Sequence, residues 1–425
     1  MKDIKVRNLI IGGGISGLTL AYFLKDSSYL VLEKETDVGG YCKTIKNPNY
    51  IWDYAGHFYH FKTEEFKKFF LSLVEPDEII TQTKNTKIFY KNKLIDFPFQ
   101  MNIHQLQKKE FIECLYDLYY KKEKTTYDNF LDMLYGKYGK SIVHKFLKPY
   151  NEKLYATNLK KLDENAMGRF FPHANLDAII RNMKESQVST YNDNFLYLKK
   201  GTQYFIDKIY NLLNKEYIKL NTTAVKVDRH NKYVTTNTGD KIHYKNLINT
   251  IPLNRFFGLM DSYQGLIEEM SYNKVLVLNI GFDTPSKRFN KEHWVYFPDK
   301  NINFYRIGFY NNILKSEKLS VYVEIGYPKK DTKIDIQREL VSSIDNMNKV
   351  GIVDDTNKLV DYSAVLMDPA YVHISETTEK KIRSEITKLN RDHIFTLGRY
   401  GKWTYSSMED CMVWAKELVS QIPKD

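Results

Sequence analysis

Gly12-Gly13-Gly14-Ile15-Ser16-Gly17 fits the pattern G-x-G-x-x-G. Such a run lets backbone N–H groups approach a pyrophosphate, and the helix that follows offers partial positive charge. Gly12 and Gly14 make the close approach, Ile15 and Ser16 open the helix, and Gly17 lets the helix pack closely on the preceding strand. Glu33 stands 21 residues after Gly12. A carboxylate there accepts both ribose hydroxyls and repels a 2′-phosphate. Alone the glycines are a weak signal. Their place between a strand and a helix, with Glu33 in register, makes them a dinucleotide site. This motif by itself does not separate NAD from FAD. His57 and His60 are close in sequence, but no third ligand is apparent nearby, so no metal is expected.

The elements that must position these residues follow from hydrophobic pattern. Residues 5–11 read as a buried strand, 12–17 as a turn, 18–24 as a helix and 29–32 as the next strand. From 103 to 186 the spacing turns helical, with Leu106, Phe111, Leu115 and Leu118 on one stripe. Phe130, Leu131, Leu134 and Tyr138 form another. Residues 275–282, 294–297, 303–309 and 321–327 are β-branched and aromatic without intervening helices, which predicts an antiparallel sheet. Strands at 224–227, 246–250 and 394–398 and a helix over 408–420 return to the α/β pattern. The expected fold is α/β. A Rossmann-type dinucleotide-binding domain (1–80, continued in 196–260 and 380–425) carries a helical insertion (100–190) and an antiparallel-sheet substrate domain (81–99 and 261–379).

Composition narrows the functional classes. At 425 residues, 43% hydrophobic and 14% aromatic, the chain supports a large buried core and is neither disordered nor fibrous. Its net charge of +11 suits an anionic ligand or an acidic surface, or serves solubility alone. Basic residues are dispersed and match no nucleic-acid motif, so nucleic acid is not an expected partner. Cys42, Cys114 and Cys411 form no CxxC pair and predict neither a zinc ribbon nor a disulfide framework. No apolar run reaches the ~18 residues needed to span a bilayer. The start is basic and then apolar (Lys2, Lys5, Arg7, then Leu9-Ile10-Ile11), but it breaks into glycines too early for a signal peptide. A soluble cytoplasmic protein is expected.

Further segments carry a resemblance. Glu33-Lys34 followed by Val38-Gly39-Gly40-Tyr41-Cys42-Lys43-Thr44 resembles the second glycine doublet of the FAD-dependent amine oxidase and protoporphyrinogen oxidase superfamily. Within that superfamily, segments spread from about residue 8 to 415 resemble UDP-galactopyranose mutases. Asp53-Tyr54-Ala55-Gly56-His57-Phe58 resembles the segment beside the flavin, which implies His57 close to the isoalloxazine; a buried structural histidine is the alternative. Phe97-Pro98-Phe99-Gln100-Met101-Asn102-Ile103 resembles the uracil-binding segment. It implies Phe99 stacked on the base and the Gln100 amide against its mixed donor–acceptor edge; read without the resemblance, Phe99 is a core residue. Pro149-Tyr150-Asn151-Glu152-Lys153-Leu154-Tyr155-Ala156 resembles YNxKxWA, which implies Asn151 facing the nucleotide and Tyr155 replacing the usual Trp. Met167-Gly168-Arg169 resembles the mobile-loop arginine after a one-residue shift.

Trp294-Val295-Tyr296-Phe297-Pro298 and Phe304-Tyr305-Arg306 resemble the WxYFP…FYR pair, with ten residues from Tyr296 to Arg306. The resemblance implies Arg306 on the diphosphate, as guanidinium chemistry suits. Tyr371 and the segment Gly398-Arg399-Tyr400-Gly401-Lys402-Trp403-Thr404-Tyr405-Ser406-Ser407-Met408 resemble the closing motif GRxGxxxY. Tyr371 and Tyr405 would bond the diphosphate, while Gly398 and Met408 close over the flavin. Gly40, Tyr41, Lys34 and Val225 complete the implied cofactor contacts. Ser407 departs from the Asp many bacterial members carry.

What the resemblance implies is a non-redox use of reduced FAD. Its N5 attacks the anomeric carbon of a UDP-sugar, UDP leaves, and the sugar recloses with a new ring size. The implied catalytic set is His57, Arg169 and Arg306. The implied partners are the UDP-sugar and a reductant, NAD(P)H or a flavin, whose identity the sequence leaves open, as it leaves open the sugar and a homo-oligomer. An amine-oxidase- or desaturase-type oxidoreductase shares the FAD motifs but needs neither two arginines nor a uracil clamp. A flavin-binding protein without catalysis is the third reading.

Overall fold

The computed structural model describes residues 2–25, 28–184 and 194–423. Residues 185–190 of the expected helical insertion, and residues 1, 26, 27, 424 and 425 of the expected FAD-binding segments, lie outside the described residues.

The strand Asp3–Ile11 lies between Tyr29–Leu32 and Lys241–Asn249 and is parallel to both. Helices cover the sheet on two sides, so Leu9, Ile10 and Val31 have no exposed surface. That is why these strands are continuous apolar runs and not alternating ones. Burying each such side chain contributes about 1.5–3 kcal/mol. Beyond Lys241–Asn249, Tyr233–Thr236 and Ala224–Asp228 extend the sheet antiparallel, and Ile394–Thr396 joins it in parallel. The fold is therefore α/β around a Rossmann-like sheet whose strands come from distant parts of the chain.

A second seven-stranded sheet runs Leu359–Met367, Asn273–Phe282, Ser320–Pro328, Arg306–Phe309, Trp294–Tyr296, Thr86–Tyr90, Lys93–Asp96. It is antiparallel as expected except where Trp294–Tyr296 pairs in parallel with Thr86–Tyr90. The strand expected from 303 begins only at Arg306. Its three predecessors instead turn the chain: the Phe297 N–H donates to the Tyr305 carbonyl at 2.9 Å.

The helical part packs Lys108–Tyr119 on Phe130–Ile142, followed by Lys148–Tyr155 and Leu176–Lys184. Phe130, Leu131, Leu134 and Tyr138 are buried, as their spacing predicts. Asn129 starts the second helix by accepting the Asp132 N–H on its side-chain oxygen at 3.0 Å. On the first helix the deepest residues are Cys114 and Leu118, with Leu106 ahead of the helix and Phe111 and Leu115 half-buried.

Candidate active site

Two cradles meet between the sheets. The first is the glycine turn. The helix Ile15–Leu24 starts at Gly14 with no side-chain cap, so its leading N–H groups are left for a ligand. A Cβ on Gly17 would lie 2.1 Å from the Gly12 carbonyl oxygen, so only glycine permits this tight return. Glu33 is buried, and its Oε2 accepts the Gly13 N–H at 2.8 Å while Oε1 accepts the Glu35 N–H at 2.9 Å. The carboxylate thus holds the turn as well as offering lone pairs to a ribose.

Gly14 bridges Gly39, whose N–H donates to the Gly13 carbonyl at 2.9 Å, and Gly40 follows with a φ of 58°. Backbone meets backbone here with no side chain between. The Tyr41 hydroxyl accepts the Asp368 N–H at 2.8 Å, so Tyr41 joins this cradle to the second sheet's end. Gly398 closes the cradle from the carboxyl-terminal side. Its φ is 81°, and a Cβ there would sit 2.3 Å from the Ser16 hydroxyl oxygen. Met408 opens the last helix, Met408–Gln421, behind a capping box between Ser407 and Asp410. Uncapped N–H groups, side-chain-free backbone and a ribose-height carboxylate fit a dinucleotide. Lys34 and Val225 stand apart from this cradle. Lys34 is exposed and paired with Glu35 at 2.8 Å, and Val225 is 48% exposed on an edge strand.

The second cradle is cationic and aromatic. Arg306 is half-buried, and its Nε and Nη2 donate to Glu324 at 2.7 and 2.6 Å. Burial opposes its charge, but Glu324 more than compensates and keeps the guanidinium protonated. Arg399 donates to the Ala370 carbonyl at 3.1 Å and lies 4.4 Å from the Tyr405 ring centroid and 5.3 Å from that of Tyr371. Tyr371 and Tyr405 are stacked at 5.6 Å. Burial raises the Tyr371 hydroxyl above its ordinary range, with Tyr405 and Glu324 adding to the rise and Arg306 and Arg399 pulling against it. Tyr296 is held by the Trp294 indole N–H at 3.2 Å, and Tyr155 reaches Tyr371 edge-on at 6.1 Å.

His57 faces the same region. Its Nδ1–H donates to the Ala55 carbonyl at 3.0 Å, which leaves Nε2 as an acceptor. Burial lowers its pKa, with Asp53 and Glu324 pulling the other way. Asp53 is fully buried and accepts from the Thr44 and Tyr197 hydroxyls at 2.6 and 3.0 Å. The Thr202 N–H and hydroxyl add bonds of 3.0 and 2.7 Å. This anchor sets the loop that carries His57.

The expected base-stacking face of Phe99 is not open. Phe99 has no exposed surface and stacks on Phe146 at 5.2 Å, with Tyr90 against it at 5.7 Å. The stack continues from Phe146 to Tyr150 at 5.1 Å, and Tyr150 packs edge-on against Tyr296 at 5.1 Å. Tyr150 is therefore the ring that reaches the cationic cradle. Gln100 and Asn151 are buried, and Gln100 Oε1 and Asn151 Oδ1 have no partner among the described residues. Their amide nitrogens donate to the Pro172 and Leu147 carbonyls. A buried acceptor left without a donor costs free energy, so each of these oxygens is a candidate for a bond from a ligand. Lys153, on the same helix, donates to the Phe297 and Asp299 carbonyls at 2.7 and 2.9 Å, and burial lowers its pKa to about 7.

Arg169 lies at the rim. It is exposed, pairs with Asp410, and stands 4.7 Å over the Phe170 ring, which meets Tyr405 edge-on at 4.6 Å. Asp410 also accepts the Ser407 N–H and hydroxyl, both at 2.8 Å, so a carboxylate stands beside Ser407 from three residues on. Glu324, Arg399 and Tyr150 were not singled out in sequence. Arg399 and Tyr150 lie inside the quoted motifs, whereas only strand pairing with Arg306 reveals Glu324.

Fold and first cradle define an α/β protein with a Rossmann-like domain. A family model described as an NAD(P)-binding Rossmann-like domain matches residues 10–73. Among solved structures, the chain is similar to a reduced UDP-galactopyranose mutase, with a TM-score of 0.92 and 21% identity over 98% of this chain and 93% of that one. A protein from Exiguobacterium sp. 255-15 designated a protoporphyrinogen oxidase matches with TM-score 0.77, 17% identity and 98% of both chains covered. Putrescine oxidase matches with TM-score 0.68, 11% identity and 99% of both chains covered. The chain thus shares one fold with a mutase and with oxidases, over its whole length.

Proposed function

We propose that this protein is a flavin-dependent UDP-sugar mutase that interconverts pyranose and furanose rings, with reduced FAD as cofactor. The observation that supports the reading is the cationic and aromatic cradle, in which Arg399 lies 5.3 Å from the Tyr371 ring centroid and 4.4 Å from that of Tyr405, while Glu324 holds Arg306 through two N–H···O bonds. A diphosphate brings about two negative charges to such a site and accepts charge-assisted bonds from both guanidiniums. Arg399, which has no carboxylate partner among the described residues, would repel a cationic amine substrate, whereas Glu324 offsets Arg306. The orphaned oxygens of Gln100 and Asn151 suit a base with an N–H edge.

The turn at 12–17, Glu33, Gly40, Tyr41, Gly398 and Met408 would hold the dinucleotide. When bound, reduced flavin supplies a nucleophilic nitrogen for the anomeric carbon, with UDP as leaving group. The chain's own residues do the rest. Arg306, Arg399, Tyr371 and Tyr405 stabilise charge developing on departing UDP. Tyr150 and Tyr296 wall the site on the nucleotide side. Neutral His57 presents Nε2 as a proton acceptor beside the reacting carbon. Arg169 swings from Asp410 onto the diphosphate and, with Phe170, closes out water.

The test is direct. The purified protein is reduced chemically and incubated with UDP-galactopyranose and related UDP-sugars, and products are analysed for a furanose. Formation of a furanose by reduced but not oxidised protein is the expected result. No furanose from any UDP-sugar, with oxygen consumed on an amine or alkene, would establish the oxidoreductase alternative instead.

A further inference from the structure

The helix Lys108–Tyr119 buries Cys114 and Leu118 against the protein and turns another stripe outward. Ile112, Tyr116, Tyr119 and Tyr120 are 53%, 63%, 66% and 66% exposed. Their spacing places them on one face, about 12 Å long at 1.5 Å per residue. The three tyrosine rings touch, Tyr120 lying 4.8 Å from Tyr116 and 5.1 Å from Tyr119. Scattered exposed apolar residues need no explanation, but a contiguous plate of rings does.

The charges around the plate are one-sided. Most acidic groups of this region are engaged within the fold, while Asp128 is exposed. Glu110 bonds Lys91 at 2.9 Å, Glu113 bonds Lys145 at 3.0 Å, and Asp117 accepts from the Ser141 N–H at 2.8 Å. Glu123 lies 3.3 Å from Lys121. Lys108 and Lys109 at one end of the stripe, and Lys122 and Lys124 at the other, are exposed with no acidic partner among the described residues. Beside Tyr116 and Tyr120, a recess of roughly 530 Å³ opens towards the helix Phe130–Ile142, with Lys121, Lys122, Lys124 and Lys140 on its wall. Two carboxylates also line it, Asp117 bonded by Ser141 and Asp132 by the Asn129 amide at 2.7 Å, so the four lysines outnumber them.

We propose that this face docks the protein on an anionic phospholipid bilayer, the tyrosines at headgroup depth and the recess taking phosphodiester headgroups. Tyrosine, with an apolar ring and a polar tip, is suited to the membrane–water interface. Lysines bracketing it are attracted to anionic headgroups. A second copy of the chain is the less suitable occupant, because a twofold contact would set the lysine clusters against one another. Among the described residues no helix is long and apolar enough to cross a membrane, so contact of this kind is peripheral and reversible.

The full-length protein is co-sedimented with vesicles of phosphatidylcholine containing phosphatidylglycerol, and with vesicles of phosphatidylcholine alone. Binding to the first and not the second, lost as salt is raised, is the expected result. The combined variant Lys108→Gln, Lys109→Gln, Lys122→Gln, Lys124→Gln changes only exposed side chains. It should bind about 600-fold more weakly, at roughly fivefold for each of the four lysines. Tyr116→Ser, Tyr119→Ser, Tyr120→Ser should also release the protein, with an unchanged near-ultraviolet circular dichroism spectrum outside the lost tyrosine signal. Equal binding to both vesicles, no binding to either, or undiminished binding of the lysine variant would overturn the proposal. So would a concentration-dependent dimer that the tyrosine variant abolishes, since the face would then be a contact between copies.

Discussion

Arg306 and Glu324 are directly opposed on adjacent antiparallel strands and joined by two N–H···O bonds of 2.7 and 2.6 Å. The carboxylate is almost fully buried, while the arginine side chain keeps 22% of its surface. Glu324 therefore aims a guanidinium whose third nitrogen is free of this pair. Removing one partner of a buried pair strands the other charge. Glu324→Ala should lower the unfolding free energy by about 3 kcal/mol, at the low end for such a loss because Arg306 is partly solvated. Urea denaturation measures this. An unchanged midpoint would show that the pair does not hold the sheet here.

Arg169 and Asp410 form the contrasting pair, exposed at the rim. Exposed ion pairs contribute only about 0–1 kcal/mol. Arg169→Ala should therefore melt within a few degrees of the parent. If Arg169 contacts the diphosphate in the transition state, turnover should fall by about 100-fold or more, the cost of removing one charge-stabilising donor. A variant that loses stability but keeps turnover would reverse that assignment.

The first cradle was the most legible part in sequence, because a glycine turn, a helix start and a carboxylate at fixed spacing are local features. The helix Phe130–Ile142 was equally legible from its apolar period. The second cradle was legible only as motifs. Nothing in the order of residues says that Glu324 lies across from Arg306, since that depends on the register of two strands far apart in sequence. Phe99 shows the opposite failure. Its motif suggested an open ring, but Phe146 and Tyr90 cover it, and half-buried Tyr150 ends the stack against Tyr296. A coarse strand at 303–309 also missed the turn that brings Tyr305 back to Phe297.

Glu33 should control cofactor retention. It accepts backbone N–H groups of Gly13 and Glu35, so it shapes the turn before any ribose arrives. Hydrogen bonds to a charged group contribute about 1.5–3 kcal/mol each. Glu33→Ala should weaken dinucleotide binding by roughly 10- to 100-fold, at about 1.4 kcal/mol per tenfold. The ratio of flavin absorbance to protein after gel filtration reports it. Full retention of flavin by the variant would move the cofactor's ribose away from this carboxylate.

Burial lowers the pKa of several histidines, His57 and His60 among them, and His293 and His373 should supply a large share of the acid sensitivity. Burial lowers the pKa of both His293 and His373 to about 4. Geometry agrees with the neutral form. His293 Nδ1 accepts the Asn85 N–H at 3.1 Å. His373 donates from Nε2 to the Tyr155 carbonyl at 2.9 Å, so its Nδ1 must accept from the Ser271 hydroxyl at 2.8 Å. In the unfolded chain each titrates near ~6.5. Above that pH neither state is protonated, and the two residues contribute no slope. Between about 6.5 and 4 the unfolded chain binds more protons than the folded one, so stability falls as pH falls. Carboxylates add their own acid effect mainly below about pH 5, which leaves the window from about 6.5 to 5 for the histidines. Across that window the urea midpoint of the parent should drop steadily, whereas the double variant His293→Asn, His373→Gln should start lower and stay flatter. A variant with the parent's slope would place the acid-sensitive groups elsewhere.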